Sequence, residues 1–121
     1  MKLPGPDHPI TITPNPKRVR VLADGVVIAD TTNALTLKEA SYPAVQYVPR
    51  GDADMTALQK TDRVTHCPYK GDASYFSVIA NGKTLDNAIW SYEAPFPAMT
   101  EISGHLAFYP DKVRIEEVAT D

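Results

Sequence analysis

Alternation of apolar and polar positions with a period of two dominates the chain and predicts strands. Arg18-Val19-Arg20-Val21-Leu22-Ala23 alternates, then Asp24-Gly25, then Val26-Val27-Ile28-Ala29. Asp-Gly between two β-branched runs predicts a hairpin, because glycine adopts the positive φ that a type I′ turn needs. Asn81-Gly82 repeats the signal between Ser74–Ala80 and a partner strand from about Thr84 to Tyr92. Ala34–Glu39 reads as a strand, with a short helix competing because Leu, Lys, Glu and Ala favour helices. Ala44–Val48 is a strand stopped by Pro49, and Val64–Cys67 is a short one halted by Pro68. Ile102–Tyr109 reads as a strand with a bulge at Gly104-His105, and Lys112–Val118 as a closing one. Asp54 is placed to cap one helical turn over Met55–Lys60.

About eight short strands result, at the spacing of an all-β sandwich or open barrel built from two packed antiparallel sheets. Residues 1–17, with five prolines, read as an extended arm in which Ile10–Thr13 is a candidate edge strand, and 18–121 as one domain. The 11 prolines among 121 residues support this reading, since proline is expelled from helix interiors and central strands.

Charge and cysteine count remove several function classes. The net charge of -3 and the scattered basic residues predict no nucleic-acid partner. No run nears the roughly 18 apolar residues of a membrane span, so no membrane partner is expected. A single cysteine, Cys67, forbids an internal disulfide and a multi-cysteine zinc site. With no signal peptide evident, it points to a reducing cytoplasm. His8, His66 and His105 are too dispersed to argue a metal, and no cofactor motif is present.

The densest polar group is His66-Cys67-Pro68-Tyr69-Lys70-Gly71. As neighbours on a strand, His66 and Cys67 point to opposite faces and form no nucleophile–base pair. Lys70 is suited to an anionic group or to activating Cys67; alternatively Cys67 is a small buried hydrophobe and the rest an ordinary turn. Trp90 and Tyr92 share a strand face, and with Tyr47 or Tyr75 form either an aromatic wall or plain core. Glu39, at a strand end, and Arg50, Asp52 and Asp54, in a loop, are the remaining candidates; a surface ion pair and a capping aspartate are the alternative.

In their order, several groups resemble a known family. They are Arg18-Val19-Arg20-Val21 with Gly25, Glu39 with Tyr42-Pro43, and Tyr47-Val48-Pro49 with Asp52. Thr65–Gly71 with Ala73 and Tyr75, Trp90-Ser91-Tyr92-Glu93 with Pro95, and Gly104–Tyr109 complete the set. Together they resemble domain-of-unknown-function family 427, over residues 8–117. The resemblance implies two sheets packed like a tent and no established activity. A nucleotidyltransferase label sometimes accompanies the family. That chemistry needs carboxylates on Mg²⁺ and a phosphate cradle, and the chain has no Gly-rich phosphate loop.

Three functions remain. The first is a small-molecule or partner-binding module whose pocket draws on Glu39, Tyr47, Arg50, Asp54, His66, Cys67, Lys70, Tyr75, Trp90 and Tyr92. The second is an enzyme on a small polar substrate, with Glu39 or Asp54 as base, Lys70 as electrostatic stabiliser and Cys67 as nucleophile. The third is an assembly protein, a homo-oligomer pairing through edge strands such as 112–118.

Overall fold

The computed structural model describes residues 1–119. Ten strands occur in the order β1 Ile10–Pro14, β2 Arg18–Ala23, β3 Val26–Thr31, β4 Leu35–Glu39, β5 Val45–Tyr47, β6 Leu58–Cys67, β7 Gly71–Ala80, β8 Lys83–Ser91, β9 Ala107–Phe108 and β10 Arg114–Val118. Short 3-10 turns cover Arg50–Asp52, Met55–Ala57 and Pro97–Ile102. The all-β class is as the alternation predicts. The two glycine-marked hairpins form as expected: Asp24, Gly25, Asn81 and Gly82 all have positive φ, as type I′ turns require.

Three antiparallel sheets form, where the sequence pattern predicts two, and none closes into a barrel: β1-β4-β5, β10-β2-β3 and β6-β7-β8-β9. The additional sheet arises because Ile10–Pro14 pairs along β4, with Ile12 opposite Leu37. The four-stranded sheet has a hydrophobic cluster on each face. Phe76, Val78, Ile89, Leu106 and Phe108 pack with Val21 and Ile28 of β2 and β3. Ala73, Tyr75, Tyr92 and Ala107 pack with Leu37 of β4 and Tyr47 of β5. Consecutive residues such as Leu106, Ala107 and Phe108 thus enter opposite clusters, as the strand pleat demands. β7 is buried on both faces over Tyr75–Val78, which explains its bulky residues there.

Two expected elements differ. The helical turn over Met55–Lys60 ends at Ala57; Leu58, Gln59 and Lys60 instead pair with Val78, Ser77 and Phe76 at the start of a ten-residue strand. Thr61-Asp62-Arg63 is a bulge within that strand, so the short strand expected over Val64–Cys67 begins at Leu58 instead. The strand expected over Ile102–Tyr109 shrinks to Ala107–Phe108, because Pro97–Ile102 curls into 3-10 turns and Gly104 takes φ +70.

Candidate functional site

The β6–β7 hairpin turns at Pro68-Tyr69-Lys70. Gly71 has a φ of +110, a backbone conformation that L side chains rarely adopt. The Lys70 carbonyl accepts a hydrogen bond from the Phe96 amide at 3.0 Å, which fixes the turn against the 94–96 loop. This directs the Lys70 side chain inward, where it is 8% exposed and meets Glu39 at the end of β4, with Nζ 2.5 Å from Oε1. The other Glu39 oxygen, Oε2, lies 2.8 Å from His8 Nε2, and the His8 ring stacks on Tyr69 at 4.0 Å. Burial pushes the Glu39 carboxyl up, but hydrogen bonds from Lys70 and His8, and their charges, outweigh it and hold it below its ordinary value.

Beside this pair lies a hollow of about 200 Å³. Its aromatic wall comes from the four-stranded sheet and its continuation: Tyr75 and Trp90 are cross-strand partners, Tyr92 is two residues beyond, and Tyr109 follows β9. The opposite wall is Leu37, Val45 and Tyr47, and the loop residues Tyr42 and Pro43 border it. Ala40, with φ 47, and a Tyr42 N–H donated to the Glu39 carbonyl curl that loop back over the strand end.

Most hydroxyls of the wall are already engaged. Trp90 Nε1 donates to Tyr47 Oη at 3.2 Å. Tyr75 Oη lies 2.9 Å from Thr65 Oγ1 and 3.3 Å from Tyr109 Oη. Tyr92 differs: its hydroxyl has no hydrogen-bond partner among the described residues, and Lys70 Nζ stands 5.8 Å from its ring centre. Burial raises the Tyr92 and Tyr47 hydroxyls well above the ordinary tyrosine value. Tyr109 is raised to about 12, by burial and by its bond to Tyr75. Burial also raises Tyr75, but bonds from Thr65 and Tyr109 and the Arg63 guanidinium, 4.8 Å above its ring, prevail and lower it.

Of the ten residues singled out from the sequence, Glu39, Tyr47, Lys70, Tyr75, Trp90 and Tyr92 border this hollow. Cys67 packs with the same apolar cluster but does not line it. Three lie elsewhere. His66 points to the opposite face and pairs with Asp72 at 2.7 Å in solvent. Arg50 donates from Nε to the Gly104 carbonyl at 3.0 Å and sits 3.1 Å from Glu93, tying the loops together. Asp54 caps its 3-10 turn through the Thr56 amide. Tyr109, Leu37, Val45, Tyr42 and Pro43 were not singled out. Tyr42-Pro43 and Tyr109 do stand among the residues that carry the family resemblance, the first between β4 and β5 and the second just after β9.

Among the described residues no three His, Cys, Asp or Glu side chains gather as a metal site, and no helix is long and apolar enough to cross a membrane. The family model of domain of unknown function 427 matches residues 11–119. The chain belongs to that family. No curated protein matches it significantly. Family 427 membership bears out the sequence resemblance and leaves the activity to be argued from the hollow.

Proposed function

We propose that this family 427 chain is a small-molecule-binding β module, and that its ligand is a compact, uncharged ring compound carrying an oxygen acceptor. The observation that carries this reading is the Tyr92 hydroxyl, which, unlike those of Tyr47, Tyr75 and Tyr109, has no protein partner among the described residues and lies beside the buried Lys70–Glu39 pair. Among the described residues Arg20 Nε is the only buried side-chain polar atom without a partner, so the Tyr92 hydroxyl meets the open hollow, where a ligand oxygen can replace water for a net gain of about 0.5–1.5 kcal/mol. The size favours a single ring, since drug-sized pockets run to roughly 300–1,000 Å³. The aromatic wall favours a flat partner. The charge favours a neutral one: Glu39 already neutralises Lys70, and an added anion would face the carboxylate.

A catalytic role has less support. Glu39 is held below its ordinary value, which makes it a weaker base than a free carboxylate. Asp54 is engaged as a cap and Cys67 does not line the hollow.

Titration calorimetry with benzamide and methyl 4-hydroxybenzoate, beside benzoate and benzylamine, tests the reading. The uncharged probes should bind at one site, perturb the fluorescence of Trp90, the only tryptophan, and outrank the charged pair. Tyr92→Phe should weaken them about 2- to 10-fold, the worth of one hydrogen bond. Absence of saturable binding by either uncharged probe, or equal binding to the variant, refutes the proposal.

A further inference from the structure

A second depression adjoins the hollow, and the two share Tyr42, Pro43, Val45 and Trp90. It measures about 430 Å³. Its far side is different in character. There Phe108, Pro110 and Ile115 form an apolar floor, with Gln46 and Glu117 at the seam and Ala44 on the rim.

The topology explains the depression. β5 is an outer strand of β1-β4-β5, and β10 an outer strand of β10-β2-β3. The depression runs along the seam between these two edges. Val45 and Trp90 pack with one apolar cluster, Ile115 and Phe108 with the other. Asn15 fastens the seam: its Nδ2 donates to Gln46 Oε1 of β5 at 2.9 Å and to Glu117 Oε1 of β10 at 2.6 Å. Asn15 is buried, and its Oδ1 accepts from the Lys17 amide, so all its hydrogen-bonding groups are used. The groove is therefore a fixed gap between two joined edges with an apolar floor.

We infer that the ligand is amphipathic: its polar ring occupies the hollow, and an apolar chain passes the Tyr42-Pro43 border and lies in the groove. This rests on the ring-binding reading above. Two arguments select a chain on the same molecule over a separate occupant. The shared residues place both spaces against the same two side chains of the border and the same Trp90. The two spaces also differ in balance: Lys70, Glu39 and the Tyr92 hydroxyl line the hollow, whereas the polar lining of the groove, Gln46 and Glu117, is tied to Asn15 and the rest is largely apolar. Tyr42 is 61% exposed and sits on a loop, so a chain crossing beside it needs no movement of the core.

Alkyl 4-hydroxybenzoates from methyl to hexyl test this, since they keep one ring and one carbonyl and lengthen only the chain. Affinity should rise about threefold to fourfold per methylene over the first members, the worth of a fully buried CH₂ of about 0.8 kcal/mol. Ala44→Asp, an exposed rim position that does not line the hollow, should flatten that rise and leave the methyl ester unchanged. A flat series in the parent, or a rise that persists in Ala44→Asp, overturns the inference while the methyl ester still reports on the ring site. If the methyl ester itself does not bind, the ring-binding reading fails first and the inference with it.

Discussion

The Lys70–Glu39 pair is where a single substitution speaks most directly to the nature of the hollow. Exposed ion pairs contribute roughly 0–1 kcal/mol, whereas removing one partner of a buried pair costs about 3–5 kcal/mol because a charge is stranded. Here Lys70 and Glu39 are 8% and 16% exposed, close to the buried case. The strandings are unequal. Lys70→Met leaves the Glu39 carboxylate with His8 still bonded, so its cost falls below the fully buried range, at about 2–3 kcal/mol. Glu39→Gln leaves an ammonium over the Tyr92 ring with at best an amide oxygen, a comparable loss. The double variant strands neither charge and should lose less than either single, giving a coupling energy of about 2 kcal/mol or more.

Urea unfolding of the four proteins measures this cycle, with an unchanged slope confirming that only stability has moved. For a domain of this size each kcal/mol corresponds to about 4 °C, so each single variant should melt roughly 8–12 °C early. Acid supplies an independent check with a definite sign. Glu39 has a lowered carboxyl in the folded chain, so its contribution is fully present above its ordinary value of 4.5 and disappears as the pH falls through the lower folded value. Glu39→Gln should therefore lose less stability on acidification than the parent. Single variants within about 0.5 kcal/mol of the parent, or additive effects, would show the pair to be solvent-screened and remove the low-polarity hollow on which the binding proposal depends.

Two further outcomes follow from the same neighbourhood. Ultraviolet titration of tyrosinate should show Tyr109 ionising near 12 and Tyr47 and Tyr92 later still, because their hydroxyls are raised. Raised folded values mean that this stability is complete below about 10 and is lost as the pH climbs through them, so Tyr92→Phe should resist alkali better than the parent. Gly71→Ala should cost about 1–3 kcal/mol in urea unfolding from its φ of +110 alone, since the new Cβ would find ordinary contacts, 3.5 Å to the Phe96 amide nitrogen being the shortest. A neutral substitution there would contradict the account of how Lys70 is aimed.

Local chemistry was legible where one residue pair dictates the backbone. Asp24-Gly25 and Asn81-Gly82 carry their turn within the dipeptide, so the hairpins followed from sequence. Leu58–Lys60 does not: nothing in Leu-Gln-Lys distinguishes helix from strand, and pairing with Phe76–Val78 decides it. The polar Thr61-Asp62-Arg63 was visible as an interruption, but a strand absorbs such a triplet as a bulge when both flanks can pair. The apolar spacing within Ile102–Tyr109, which reads as one strand, misleads in the same way. Leu106 and Phe108 do share a cluster, while Ile102 enters the other one from a 3-10 turn. For the site, strand alternation separates His66 from Cys67 correctly, and the order of the hairpins brings Lys70 to Trp90. Arg50 could not be placed that way, because its partners are the Gly104 carbonyl and Glu93, both remote in sequence.

The aromatic residues had two readings, wall or core, and the structure divides them residue by residue. Tyr47 is 1% exposed and bonded to Trp90, so its hydroxyl is spent on fixing the indole. Tyr75 and Tyr109 stack with rings 12° from parallel and share their hydroxyls. These three hold one another in place, and the Tyr92 hydroxyl beside them is left to meet water or a ligand in the open hollow. The Lys70–Glu39–His8 chain does the same on the other side by satisfying both carboxylate oxygens. The polar groups of Tyr47, Tyr75, Tyr109, Lys70 and Glu39 are thus engaged with one another while the Tyr92 hydroxyl meets the open space, and the binding proposal rests on that asymmetry more than on the volume of the space.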